Sequence, residues 1–225
     1  MRLTLSVIIP TYNEEKRLGR LLKSLAYVDP DEVKVVDGGS NDETCKIAIK
    51  QGARVINAEK GRGSQLKKGA LASCGELLLF LHADTYFTEK IDLRGLYLSG
   101  IRAGFFELVF DVKRGLSLSI LERLINLRAR IFSLPYGDQG LFIERKLYFE
   151  ADEFSAIPFL EDLDFVLRLR KLCPPKNFPH KIVVSSRKHL SKIPLFPFIV
   201  SLRNNLLIFL YLLGVSPNLL SKIYK

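Results

Sequence analysis

Apolar residues in the first 85 positions fall into four short runs, at residues 5–10, 33–36, 53–57 and 77–81, and each gives way abruptly to polar residues. Short runs rich in Val, Ile and Leu are the pattern of strands covered on both faces, as in a largely parallel sheet. The first run ends at Pro10, which has no N–H to give a sheet ladder, so the strand is expected to stop there. Leu18, Leu21, Leu22 and Leu25 then recur at helical spacing and complete a strand, loop and helix unit. Further along lie a basic amphipathic stretch at 116–134, an apolar segment at 141–143, a helical stripe of Phe165, Leu169 and Leu172, and a strand-like run at 181–184. The alternation predicts an open α/β sheet flanked by helices, followed by a C-terminal helical extension.

The polar residues that follow the four runs are expected to share one edge, because ligands of open α/β sheets bind outside the carboxyl ends of the strands. Thr11, Tyr12, Asn13 and Glu14 follow the first run. Asp37-Gly38-Gly39-Ser40 follows the second, where two glycines permit close backbone approach and Asp37 offers an acceptor to a base N–H or a ribose hydroxyl. The same residues also suit an ordinary turn, with Asn41 or Asp42 capping the next helix. Lys60-Gly61-Arg62-Gly63 follows the third, ahead of Lys67 and Lys68, so cations and backbone amides gather where a diphosphate would lie. The spacing is neither a Walker loop nor a dinucleotide fingerprint, and both lysines equally suit a solvated helix face. His82-Ala83-Asp84 follows the fourth run. Asp84 is placed either to cap a helix or to hold a hard divalent cation, which takes oxygen ligands and few protein carboxylates.

Three later segments also carry candidate chemistry. Glu161-Asp162-Leu163-Asp164 opens a helix, where acidic residues suit the dipole as well as a catalytic role. Gly137-Asp138-Gln139-Gly140 reads as a tight turn at a strand start. Arg187, Lys188 and His189 form a basic loop that either closes over a diphosphate or faces solvent.

In their order and spacing, Val36-Asp37-Gly38-Gly39-Ser40, Gly61-Arg62-Gly63, Leu81-His82-Ala83-Asp84-Thr85, Gly137-Asp138-Gln139, Glu161-Asp162 and Leu213-Gly214-Val215-Ser216-Pro217 resemble glycosyltransferase family 2, with its GT-A fold of a mixed, Rossmann-like sheet. Within it they are most similar to the short bacterial subgroup labelled arsenosugar-biosynthesis or radical-SAM/selenodomain-associated glycosyltransferases, and the resemblance runs from Ser6 almost to the C-terminus. It implies an enzyme moving a sugar from a nucleotide-diphosphate sugar to a hydroxyl of a small-molecule or lipid-linked acceptor, with inversion. Thr11, Tyr12, Glu14 and Asp37 would line the nucleoside pocket, Arg62 would face the diphosphate, and Ala83 and Asp84 would complete the donor site. Asp84, matching the last Asp of the family's DxD motif, would hold Mn2+ or Mg2+. Asp138 and Gln139 would lie on the acceptor side, Arg187 would be a further diphosphate contact, and Asp162 of the ED motif would be the general base, with Asp164 second in line. His82 stands in place of the first Asp of DxD, and Gly38 in place of an acidic residue often found after Asp37. His82 is expected to be a hydrogen-bonded residue behind the metal position, with an imidazole ligand as the alternative. Residues 1–190 then read as one GT-A domain, with 1–85 its nucleotide-binding half and 86–190 its acceptor half, and 191–225 as the extension.

Composition narrows the remaining choices. The net charge is +10, yet the basic residues are dispersed and no nucleic-acid-binding motif is present, so nucleic acid is not an expected partner. Cys45, Cys74 and Cys173 are odd in number and lack metal-ligand spacing, which disfavours disulfides and structural zinc and points to a reducing compartment. The apolar run at 5–10 is too short for an export signal. The expected location is therefore the cytoplasm or the inner face of a membrane. Residues 193–215 are rich in Leu, Ile and Phe but are broken by Pro194, Pro197, Arg203, Asn204 and Asn205, and 206–215 falls far short of the ~20 residues a span needs. Such a segment either rests on an anionic membrane surface or packs on the core or a second subunit. The rival class is a non-catalytic nucleotide-binding or membrane-associated adaptor with a degenerate metal site. A nucleotidyltransferase is disfavoured because Thr11-Tyr12-Asn13-Glu14 stands where its glycine-rich basic loop would be.

Overall fold

The computed structural model describes residues 2–112, 115–186 and 196–224. In chain order the elements are β1 (Leu5–Thr11), α1 (Glu15–Ser24), β2 (Glu32–Asp37), α2 (Thr44–Lys50), β3 (Arg54–Asn57), α3 (Arg62–Leu71), β4 (Leu77–Phe80), β5 (Thr85–Phe87) and α4 (Leu93–Leu98). They continue with β6 (Ala103–Phe110), α5 (Gly115–Phe132), β7 (Leu141–Glu144), α6 (Arg145–Glu150), α7 (Glu161–Leu172), β8 (Lys176–Val184), α8 (Phe196–Leu212) and α9 (Pro217–Tyr224). The strands form one sheet in the order β3-β2-β1-β4-β7-β6-β8-β5. The four strands built from the apolar runs pair in parallel, and β7 joins them antiparallel to both β4 and β6. β8 runs parallel to β6, and β5 closes the edge antiparallel to β8. This is the mixed GT-A sheet that the sequence pattern and resemblance predict.

The lack of polar alternation in the runs follows from their burial. Leu5, Val7 and Ile9 of β1 and Leu77 and Leu79 of β4 face one layer with Leu18, Leu21 and Leu22 of α1. Ile8, Leu78 and Phe80 face the opposite layer with Leu66 and Ala70 of α3 and Phe165 and Leu169 of α7. The apolar positions on both faces of these strands therefore gain from burial, at about 1.5–3 kcal/mol for a large aliphatic side chain, while the buried Ser6 donates its hydroxyl to Glu32.

Three boundaries differ from the sequence expectation, each for a local reason. β1 continues through Pro10 to Thr11. Its register with β4 ends at Ile8↔Phe80, while pairing with β2 runs on to Thr11↔Asp37. Leu81 still donates to the Ile8 carbonyl at 3.0 Å, and the next N–H toward β4 would be that of residue 10, so Pro10 ends the ladder on the β4 side alone while pairing with β2 continues. The stripe on α7 ends at Leu169, because Leu172 is exposed at the helix terminus. The last long strand begins at Lys176, five residues before the apolar run that signals it, because β6 supplies a parallel ladder on which polar residues also pair.

The described part of the C-terminal extension docks on α7. Leu207 of α8 and Leu220 of α9 are buried against Phe159, with Leu160, Leu210, Tyr211 and Val215 around them. The Tyr211 hydroxyl donates to Asp164 Oδ1 at 2.8 Å. Among the described residues, no helix is long and apolar enough to cross a membrane.

Candidate active site

Thr11 and Tyr12 close β1, Glu14 precedes α1, Arg62 opens α3, and Ala83 and Asp84 follow β4. These six candidates line one open cleft of about 510 Å³ together with Pro10, Gln65 and His82. The parallel order of β1 and β4 makes this possible, since both chains deliver their polar ends to the same edge. Across the cleft mouth, Lys60 Nζ lies 3.6 Å from the centre of the exposed Tyr12 ring, a cation–π contact. Lys67 and Lys68 do not join the lining. Lys67 pairs with Glu153 at 2.9 Å and Lys68 donates to the Asn57 carbonyl at 2.7 Å.

Asp37 sits behind the cleft and shapes the loop after β2. Its carboxylate accepts from Thr11 Oγ1 at 3.1 Å, the Gly39 N–H at 3.0 Å, and the N–H and hydroxyl of Ser40 at 2.7 and 2.5 Å. Burial opposes its charge, but these donors together hold its pKa below the usual carboxylate range. The turn requires a left-handed residue, supplied by Gly39 at φ +87°.

Sequence reasoning did not single out Gln65, which locks this end of the sheet. Its Nε2 donates to the carbonyls of Thr11 at 2.8 Å and Val36 at 2.7 Å, and its Oε1 accepts from the Gly61 N–H at 3.3 Å. One buried amide thus ties β1 and β2 to the loop that leads into Arg62. The available signal was a polar residue on the helix face that also carries Leu66, Gly69 and Ala70.

The second part of the site forms around Asp162. Gly137 donates its N–H to Asp162 Oδ2 at 2.8 Å. A Cβ on Gly137 would lie 2.5 Å from that same oxygen and 2.5 Å from His82 Nε2, so His82, Gly137 and Asp162 meet at one point where only glycine fits. The three line a small apolar cavity with Phe80, Tyr136 and Phe154, and His82 belongs to both this cavity and the open cleft.

Beside Asp162, Glu161 is almost wholly buried, and Arg62 Nε lies 2.6 Å from its Oε1. Burial, then the charge of Asp162, push the Glu161 carboxyl up to about 8, against the pull of Arg62. For Asp162 burial is outweighed by Arg62, His82, the Glu161 side chain and the Gly137 N–H, which hold it below the usual range. The two carboxyls are pushed in opposite directions, and of the pair it is Asp162 whose charged form the surroundings favour. Asp164 is occupied elsewhere, accepting from Ser155 Oγ at 2.6 Å, Arg168 at 2.8 Å and Tyr211.

Gln139 is fully buried, and its amide braces the turn from inside. Nε2 donates to Phe106 O and Asn126 Oδ1 at 3.4 Å each, and Oε1 accepts from the Tyr136 N–H at 3.3 Å. Asp138 faces Arg128, a second residue that sequence reasoning passed over. The Arg128 guanidinium covers the Tyr136 ring at 3.3 Å, and burial draws its pKa down to about 10 against the opposing charge of Asp138. Arg187 lies outside the described residues.

Among the described residues, no group of three or more His, Cys, Asp and Glu side chains is arranged to hold a metal. Asp84 and Glu14 do share the cleft with Arg62. One or two carboxylates beside a cation that can meet phosphate oxygens suit a hard divalent ion bound jointly with a diphosphate.

The fold and cleft together are those of an α/β protein with a GT-A sheet and a polar, acidic and basic cleft at its strand ends. Comparison with known proteins adds to this: residues 6–99, less than half of the chain, match the model described as Glycosyl transferase family 2. Over 99 residues it is 40% identical to human dolichyl-phosphate beta-glucosyltransferase, covering 36% of this chain and 31% of that protein. Over 95 residues it is 35% identical to a Staphylococcus aureus 4,4'-diaponeurosporenoate glycosyltransferase, covering 39% and 25%. The chain thus spans about a quarter to a third of the length of these relatives. Among solved structures, S. aureus TarS residues 1–349 superpose with a TM-score of 0.60 at 26% identity, covering 81% of this chain and 58% of that one. Glucosyl-3-phosphoglycerate synthase from Mycobacterium tuberculosis, in complex with Mn2+, uridine diphosphate and glucosyl-3-phosphoglycerate, shares the fold with a TM-score of 0.56 at 21% identity, covering 81% and 70%.

Proposed function

We propose that this protein transfers a sugar from a nucleotide-diphosphate sugar to a hydroxyl of a small-molecule or lipid-linked acceptor, with inversion. The observation that carries the reading is the junction at His82, where the cleft lined by Arg62 and Asp84 meets the cavity lined by the ionised Asp162. In this reading Thr11, Tyr12 and Glu14 receive the nucleoside, with the exposed Tyr12 ring as an apolar wall and Asp37 fixing the loop behind it. Arg62 and the amino end of α3 meet the diphosphate. Asp84 would hold Mn2+ or Mg2+, which when bound supplies charge neutralisation to a departing nucleoside diphosphate. The mycobacterial fold neighbour holds Mn2+ and uridine diphosphate together.

Asp162 takes the proton of the acceptor hydroxyl as its oxygen attacks the anomeric carbon from the side opposite the leaving group. The Gly137 N–H holds the carboxylate in place, and Glu161 stays protonated beside it, so the pair carries a single charge. The turn that bears Asp138 and Gln139 forms the acceptor wall, with Gln139 acting from behind through its buried bonds. Asp162→Asn tests the assignment: turnover is expected to fall about 10²–10⁴-fold while donor affinity stays near the wild-type value. A variant with full turnover would remove Asp162 from the role of base.

A further inference from the structure

The described C-terminal helices have two unlike faces. The inner face packs through Leu207 and Leu220 on Phe159, just ahead of the helix that carries Asp162, and the Tyr211–Asp164 hydrogen bond reaches that helix itself. On the outer face of α8, Ile199, Leu202, Leu206, Phe209 and, just past its end, Leu213 recur at intervals of three and four residues, each more than half exposed. Leu219 and Ile223 of α9 add to this surface. α5 packs against α8 and exposes Leu124, Leu127, Ile131 and Phe132 at the same helical spacing. Single exposed apolar residues are ordinary, but an array across three helices marks an interaction surface.

The charges around this array are mainly positive, and one of them, Arg130, pairs with Glu107 of β6. α5, α8 and α9 present Arg123, Arg130, Arg203 and Lys222 at the surface. Their only carboxylate, Glu122, accepts from the Phe110 N–H at 3.2 Å and so is turned toward the sheet. At the end of α5, Arg170 and Lys171 border Ile131 and Phe132. From residue 187 to 225 the chain has six Lys and Arg and no Asp or Glu.

We propose that the α5–α8–α9 face docks on the surface of an anionic lipid bilayer, with its apolar side chains at the acyl boundary and its cations among the headgroups. Apolar residues framed by cations are the chemistry of a helix lying in the membrane interface. A second copy fits less well, because a symmetric contact would bring the exposed cations Arg123 and Lys222 of one copy toward those of the other. Spanning is ruled out for the described helices by their length and hydropathy. Because the inner face is fixed to α7, docking would hold the helix of Asp162 at a set height over the headgroups, where a lipid-linked hydroxyl is presented. The surface itself is independent of the transfer reaction, and either reading can fail without the other.

Flotation of the full chain with phosphatidylcholine vesicles, with and without phosphatidylglycerol, at low and high salt, tests the inference. Wild type is expected to float with the anionic vesicles at low salt and to be released in part by high salt. The exposed triple variant Leu202→Gln, Leu206→Gln, Phe209→Gln is expected to partition about tenfold or more weakly with an unchanged melting temperature. The pair Arg123→Glu, Arg203→Glu should remove the preference for anionic lipid without loss of folding, which keeps the test decisive if the triple variant unfolds. Wild type remaining with the aqueous fraction, or variants that float as wild type does, would overturn the proposal. So would a dimer in light scattering that the triple variant dissociates while no vesicle binding is seen, an outcome that assigns the face to a second copy.

Discussion

An alanine at position 137 would place a methyl carbon 2.5 Å from both Asp162 Oδ2 and His82 Nε2. Ordinary van der Waals contact begins near 3.4 Å, so the carboxylate, the imidazole or the turn must give way by about 1 Å. Asp162 cannot swing off without abandoning the 2.8 Å hydrogen bond from the Gly137 N–H. Crowding of this kind costs about 1–3 kcal/mol of stability, and a displacement of about 1 Å at a catalytic group costs roughly 10²-fold in rate. The donor cleft lined by Tyr12, Arg62 and Asp84 lies on the other side of His82 and should feel the change weakly. In Gly137→Ala, release of nucleoside diphosphate from a sugar donor should therefore fall about 100-fold while donor binding by calorimetry stays within a few fold. A conformational argument gives no such split, because Gly137 does not occupy the left-handed region. Wild-type turnover in Gly137→Ala would refute the convergence of His82, Gly137 and Asp162 as the geometry that orients the base.

Two further outcomes follow from buried polar groups. Gln65→Ala strips the amide donor from the carbonyls of Thr11 and Val36 and should cost about 1–3 kcal/mol in urea denaturation; an unchanged midpoint would deny the amide its clamping role. Glu161 has its folded pKa raised from 4.5 to about 8, so between those values the folded state binds more protons than the unfolded. Its contribution is fully present below pH 4.5 and is lost as pH rises toward about 8, by at most ~1.4 kcal/mol per pH unit. Melting curves of wild type should thus decline relative to Glu161→Gln as pH rises through this window, and parallel curves would contradict a buried proton on Glu161.

Much of the sheet was legible because its cause is local. A strand buried on both faces must be apolar throughout, and the runs containing Val7 to Ile9 and Leu77 to Leu81 say so directly. The polar ends were legible for the same reason, since parallel strands bring their carboxyl ends to one edge. Pro10 misled at the boundary because a missing N–H ends pairing on one side of a strand only, and β2 continues to pair on the other. Gln65 was illegible because its partners, Thr11 and Val36, are 54 and 29 residues away and are backbone atoms that carry no sequence signal. Gly137 read as a turn glycine, whereas its use is the close approach of Asp162 and His82 across three separate segments. Arg62 was expected at the diphosphate, and its contact with Glu161 also joins the cleft to the neighbourhood of Asp162, a link that depends on α3 meeting α7. The stripe on α8 could be read as an apolar helix, but only the packing of Leu207 and Tyr211 shows which side is covered.

The most direct test of a nucleotide-sugar donor site is calorimetric titration of uridine and guanosine diphosphates into wild type and Asp84→Ala, with and without Mn2+. Wild type should bind one of them in a metal-dependent manner, and the variant should lose that dependence along with most of the affinity. Binding that is equal in the two proteins and indifferent to metal, or no binding of either nucleotide, would contradict a donor diphosphate held through Asp84.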